Sequence, residues 1–157
     1  DVTVAALSAV NAFGSPVMPG SDCFWAWPFE REGEFGGRVP DKGIAGHPLA
    51  LHREANSGVN TTLAVVATNA TLDKASAQRV AVMAHDGFAR ALRPVHTPFD
   101  GDAVFVLATG DGPVPGPETL ALIGTMAADC VARSIARGVY HAETIDGFRS
   151  YRESFRV

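Results

Sequence analysis

The stretch HREANSGVNTTLAVVATNA (His52 to Ala70) passes from a polar, glycine-containing run straight into an apolar one, and the change falls at Asn60-Thr61-Thr62. Four readings suit that junction. NTT matches the N-x-[ST] glycosylation acceptor, as NAT does at Asn69. Thr61 and Thr62 also suit a strand simply because Thr is β-branched. Thr61 can act as a nucleophile if a separate histidine takes its proton, yet none of the five histidines stands in recognisable pairing with it. Finally, Thr61 can be an N-terminal nucleophile. A free α-amino group, with an ordinary pKa of about 8, then serves as base for the hydroxyl of the same residue. That amine exists only after the Asn60–Thr61 peptide bond is cut. The hydroxyl can make the cut itself: it attacks the Asn60 carbonyl, forms an ester, and water releases Asn60. Such a residue should follow a flexible linker and open a rigid strand. Polar EANSGVN before it and apolar LAVVA after it have that form.

A second chemical element is TPFDGDAVF, where Asp100 and Asp102 stand two apart around Gly101, just ahead of a strand. In extended backbone both carboxylates face the same way. There they can hold an ammonium group and tune its pKa, or share a proton. Asp-Gly is also a common turn signal, so a plain turn is the competing reading.

The elements that must position these residues can be read from the hydrophobic pattern. Val2 to Val10 reads as a buried strand ended by NAFG, with Asn11 as a turn residue. Residues 15–59 hold five of the ten prolines, both tryptophans and the run EREGE. A loop of that length carries function, covers a site, is later cut, or is a surface excursion. Thr62 to Thr68 reads as a second buried strand. KASAQRVAVMAHDGFARAL follows as an amphipathic helix with Asp73 as N-cap and Pro94 as stop. Ala103 to Thr109 is a third strand. A second helix runs from about Glu118 to Arg137, with Pro117 at N1 and Gly138 at C′. The tail IDGFRSYRESF has weak helical character. Strands followed by alanine-rich helices imply a layered α/β architecture.

With 157 residues, 46% apolar and 19% charged, the chain suits one domain or part of one, 1–157. Net charge is −4 with scattered Lys and Arg, which excludes a nucleic-acid footprint. No apolar run reaches the roughly 18 residues of a membrane span, so no membrane partner is expected. Cys23 and Cys130 fit neither a zinc spacing nor a disulfide framework, which favours a reducing, cytoplasmic setting. His47 and His52 lack a companion cluster and DGD lacks Ca²⁺-loop spacing, so no metal or cofactor is expected. DVTVAALSAV is strand-like from its second residue, from which we expect a piece of a longer chain or a product of processing.

Taken together, VAALSAVNAFGS, VNTTLAVVATNATLDKASAQRVAVMAHDGFARAL and HTPFDGD resemble the self-processing peptidases of the L-aminopeptidase/D-amidase/esterase type. That group includes β-aminopeptidases, nylon-oligomer hydrolases and pantetheine hydrolases. The resemblance is strongest from Ala5 to Gly14 and from Gly58 to Gly110. It implies a four-layer αββα sandwich like that of N-terminal-nucleophile hydrolases, of which this chain is the C-terminal half. It implies Thr61 as nucleophile and cleavage between Asn60 and Thr61 into 1–60 and 61–157. It places Asp100 and Asp102 beside the nucleophile's amine, and Asn11 where its side-chain NH₂ hydrogen-bonds the reacting group. The Asn-Thr junction and Asp-Gly-Asp pair look most like the Thr-nucleophile nylon-oligomer branch. Further pocket residues, including a Lys or Tyr, are implied in a missing N-terminal half, in a homo-oligomer acting on a small amide or peptide. Two alternatives remain at this level: an acyltransferase of the ornithine-acetyltransferase kind, and a degenerate assembly subunit. In the latter, CFWAWPF would form subunit contacts rather than a plug over the chain's own core.

Overall fold

A computed structural model describes residues 1–41 and 60–157. His47, His52 and EANSGVN up to Val59 lie outside these residues. Three strands, β1 (Val4–Asn11), β2 (Thr61–Thr68) and β3 (Ala103–Ala108), form one sheet in that order. β1 and β2 are antiparallel, with Val4 opposite Thr68 and Asn11 opposite Thr61. β2 and β3 are parallel, with Leu63 opposite Ala103. Parallel neighbours need a crossover, and helix α1 (Lys74–Ala91) supplies it. β1 starts two residues later than its apolar pattern implies and runs through Asn11, because the ladder with β2 extends to the Asn11–Thr61 pair. β3 stops one residue short of Thr109.

The apolar runs do not make doubly buried strands. Burial alternates along β1 and β2, since among the described residues helices cover one face only. On that face Ala64 and Val66 meet Val80, Ala84 and Phe88 of α1. Helix α2 (Pro117–His141) adds Ile123, Ala127, Val131 and Ile135. Burying a side chain of Val-to-Phe size contributes about 1.5–3 kcal/mol, so this layer is the main stabilising element. The other face presents Leu7, 74% exposed, Phe105, 59% exposed, and Leu63, Val65 and Leu107. The described residues thus build one helix layer and one sheet layer, with the sheet's second apolar face open.

Local signals explain most helix ends. The Asp73 carboxylate accepts the Ser76 N–H at 2.8 Å, capping α1. Pro117 occupies the first turn of α2. Gly138 is not the C′ residue: α2 continues to His141, and a Cβ at Gly138 would approach Val10 Cγ2 at 3.9 Å. By length and mean hydropathy (1.3), α2 meets the requirement for a membrane span that no uninterrupted apolar run meets. Its apolarity is spent on the core, where eight of its residues are buried. The tail forms a short helix, α3 (Tyr151–Phe155).

CFWAWPF is a plug. Cys23, Phe24 and Ala26 are buried, and Phe24 stacks 4.5 Å from Tyr151 and edge-on to Phe35 at 5.6 Å. The Tyr151 hydroxyl donates to the Asp22 carbonyl. Burial pushes the Tyr151 phenol up to about 12 and the Cys23 thiol up to about 11. Glu34 ties this segment to α2: its carboxylate takes Arg133 Nε at 2.5 Å and Nη2 at 2.9 Å, with Arg137 at 3.5 Å.

Candidate active site

One end of the sheet collects the chemistry-bearing residues. Antiparallel pairing puts the side chains of directly opposed residues on the same face, so Asn11 and Thr61 share the face turned away from the helices. Thr62 has the opposite orientation and is fully buried. Its hydroxyl has no hydrogen-bond partner among the described residues. The two threonines are therefore unlike: one hydroxyl opens toward the free face, the other lies in the core.

The Thr61 hydroxyl donates to the Asn60 carbonyl oxygen at 2.8 Å. A second donor reaches that oxygen, the Gly101 N–H at 2.9 Å. Asn60 and Asp100 form a parallel bridge that carries the β2–β3 pairing past its formal start. The nucleophile candidate and the DGD segment are thus neighbours through the backbone.

The two carboxylates have separate duties. Asp100 Oδ2 accepts the Thr97 N–H at 2.9 Å and the Thr97 hydroxyl at 2.7 Å. Its Oδ1 accepts the Phe13 N–H at 3.2 Å, just beyond β1. A turn is present, with Asp100 N–H donating to the Thr97 carbonyl at 3.0 Å. Asp100 both closes it and straps it to the end of β1. Asp102 faces β2: its Oδ1 accepts the Thr62 N–H at 2.9 Å. Its Oδ2 lies 2.9 Å from His96 Nδ1. The Asp102 side chain is only 3% exposed, against 39% for His96.

His96 is the residue that sequence reasoning passed over. Its only signal was its place at the head of HTPFDGD. Its pairing depends on the fold-back from Thr97 to Asp100, which spacing alone does not disclose. The His96 ring packs 5.1 Å from His85 and 5.7 Å from Phe88. Burial, aided by His96, holds the His85 pKa below the ordinary histidine value. The site therefore offers a hydroxyl against a carbonyl, a backbone donor on the same carbonyl, and a buried carboxylate one residue away.

A model of the family described as Peptidase family S58 matches residues 1–152. A protein of Mycobacterium tuberculosis named as an uncharacterised aminopeptidase is 41% identical over 171 residues, covering 98% of this chain and 48% of its own length. The 6-aminohexanoate-oligomer endohydrolase of Paenarthrobacter ureafaciens is 27% identical over 81 residues, covering 46% of this chain and 23% of its own. Among solved structures, the L-aminopeptidase D-Ala-esterase/amidase of Ochrobactrum anthropi, described as a new variant among the Ntn hydrolase fold, matches with a TM-score of 0.51. Its identity is 22%, over 56% of this chain and 28% of that one. That likeness is one of fold: the helix and sheet layers are two of the four in an αββα sandwich. The chain spans about half the length of the mycobacterial relative.

Proposed function

Because the chain belongs to peptidase family S58, we propose that it carries the nucleophile of a self-processing amidohydrolase, and that Thr61 is that nucleophile. The observation that carries this reading is the Thr61 hydroxyl set 2.8 Å from the Asn60 carbonyl oxygen, on the open face at the mouth of a strand. In self-cleavage Thr61 Oγ1 bonds to the Asn60 carbonyl carbon and the C–N bond to Thr61 breaks. The hydroxyl proton ends on the freed nitrogen. Water hydrolyses the ester, leaving Asn60 as a carboxylate and Thr61 with an α-amino group.

That amine is the base of the second reaction. It takes the Thr61 hydroxyl proton as the oxygen attacks a substrate amide, then delivers it to the leaving amine. Water regenerates the enzyme from the acyl ester. To Asn11, opposite Thr61 in the ladder, we assign the hydrogen bond to the reacting carbonyl, a role its position supports. Asp102, on the Thr62 N–H, and Asp100, holding the turn, fix the segment beside the nucleophile. We assign the remaining pocket walls to another part of a longer precursor, since the chain spans 48% of the mycobacterial relative. The 41% identity to a protein named an aminopeptidase makes small peptides the first substrates to try. Amide oligomers such as 6-aminohexanoate come second, on 27% identity over 81 residues.

The test is intact mass and N-terminal sequencing of the full-length protein. The second fragment should read TTLAVVAT. Thr61→Ala should abolish cleavage and hydrolysis, and Thr61→Ser should keep part of both. Thr62→Val, which removes a buried hydroxyl, should cleave normally. A cut elsewhere, or an active uncut chain, rejects the reading.

A further inference from the structure

We propose that the Gly101 backbone N–H is the oxyanion donor of the self-cleavage step. Residue 101 is glycine, on this view, because the nucleophile's hydroxyl fills the space a side chain would need. The inference rests on the reading of Thr61 as nucleophile.

Two groups donate to the Asn60 carbonyl oxygen among the described residues: Thr61 Oγ1 at 2.8 Å and Gly101 N at 2.9 Å. They differ in fate. As Thr61 Oγ1 bonds to the Asn60 carbon it loses its proton and can no longer donate. The carbonyl oxygen gains a negative charge at that same moment. Of the two donors, the Gly101 N–H is the one that persists, and a hydrogen bond to an ionised acceptor is roughly twice as strong as a neutral one. When the intermediate collapses, the C–N bond breaks, the proton reaches the Thr61 nitrogen, and the oxygen becomes the ester carbonyl.

The donor is fixed before the reaction, which gives an oxyanion donor its effect. Gly101 sits between two anchored residues. Asp100 is held by Thr97 and Phe13 and bridged to Asn60. Asp102 is held by the Thr62 N–H and His96. The absence of a side chain has its own cause: a Cβ on Gly101 would lie 2.9 Å from Thr61 Oγ1 and 3.9 Å from Thr61 Cβ. Any other residue pushes the nucleophile out of place. One position thus supplies both the donor and the room for the attacking atom.

The experiment measures the self-cleavage rate of the full-length precursor by intact mass over time. Three variants are compared with wild type: Gly101→Pro, which removes the N–H; Gly101→Ala, which keeps it but crowds Thr61; and replacement of Gly101 by glycolate, which exchanges only the N–H for an ester oxygen. Each is also made in the Thr61→Ala background, where melting temperature reports the fold without cleavage. The expected result is slowing by roughly 10²–10³-fold for the glycolate form. Gly101→Ala should slow at least about tenfold, with melting temperatures close to that of Thr61→Ala alone. Should Gly101→Pro fail to fold, the glycolate form decides. Wild-type cleavage in the glycolate form overturns the proposal, as does a rate loss matched by a fall in melting temperature. If Thr61→Ala is uncut while the residue 101 variants cleave normally, only the role of Gly101 fails. If Thr61→Ala still cuts after Asn60, both readings fail.

Discussion

At the scale of the residue, Asp100 and Asp102 separate two kinds of loss. Asp100 accepts three hydrogen bonds, two from Thr97 and one from Phe13. An amide in its place turns an NH₂ toward a donor in either orientation. Asp100→Asn should therefore destabilise by about 1–3 kcal/mol, the usual penalty for an unmatched polar group. Asp102 lies against β2 and pairs with His96. Asp102→Asn keeps one acceptor but loses the charge. Turnover should fall at least roughly tenfold, since proton-transfer machinery of this kind contributes about 10²–10⁴-fold. Urea unfolding and turnover, measured on both variants, check the division. An Asp100→Asn protein that unfolds like wild type would reduce that carboxylate to an ordinary turn residue.

At the scale of the element, two glycines mark where the helices touch. A Cβ at Gly87 of α1 would collide with the Ala128 backbone carbonyl and lie 2.7 Å from Val131 Cβ. A Cβ at Gly124 of α2 would collide with the end of the Met83 side chain. Backbone cannot move aside, whereas an unbranched thioether can. Gly87→Ala should destabilise by about 1–3 kcal/mol through overpacking, outweighing the roughly 1 kcal/mol that Ala gains over Gly in a helix. Gly124→Ala should be close to neutral. Melting temperatures of the two variants give the comparison, and equal losses would refute it. Much of this layer was legible in the sequence: the 3.6-residue apolar stripe of α1, its Asp73 cap and the Pro117 start of α2 are local signals. The end of α2 was not, because Gly138 reads as a stop in sequence while its surroundings let the helix continue. Nor was the open face of the sheet. Apolar residues on both sides of β1 announce burial on both faces, whereas among the described residues only one face is covered. The candidate site was half visible: Asn11, Asn60, Thr61, Asp100 and Asp102 stand out by spacing and resemblance, but His96, whose partner is chosen by a turn, does not.

At the scale of the whole molecule, acid should loosen the join between the plug segment and α2. Burial tends to raise the Glu34 carboxyl, but the Arg133 hydrogen bonds and charge, with Arg137, outweigh it and hold its pKa below the ordinary 4.5. A lowered carboxyl pKa contributes stability that is complete above the unfolded-chain value and is lost as pH falls through the folded one. His85, also lowered, adds a milder loss as pH drops below the ordinary histidine value of 6.5, because the unfolded chain protonates first. Glu34→Gln should flatten the acid limb of a plot of urea midpoint against pH, below about 4.5, and leave the limb near 6 unchanged. A wild-type acid limb in that variant would move the pH sensitivity elsewhere. The β1–β2 ladder has a consequence of another kind. It pairs residues on opposite sides of the Asn60–Thr61 bond along its whole length, Val4 with Thr68 through Asn11 with Thr61. Once that bond is cut, one folding chain becomes a heterodimer whose seam runs through the middle of a sheet. Unfolding then releases an additional particle and obeys mass action. The melting temperature of the processed protein should rise with its concentration, while that of an uncut Thr61→Ala protein should depend less on dilution. A single body in the native state would thus carry, in its thermodynamics, the memory of having been divided.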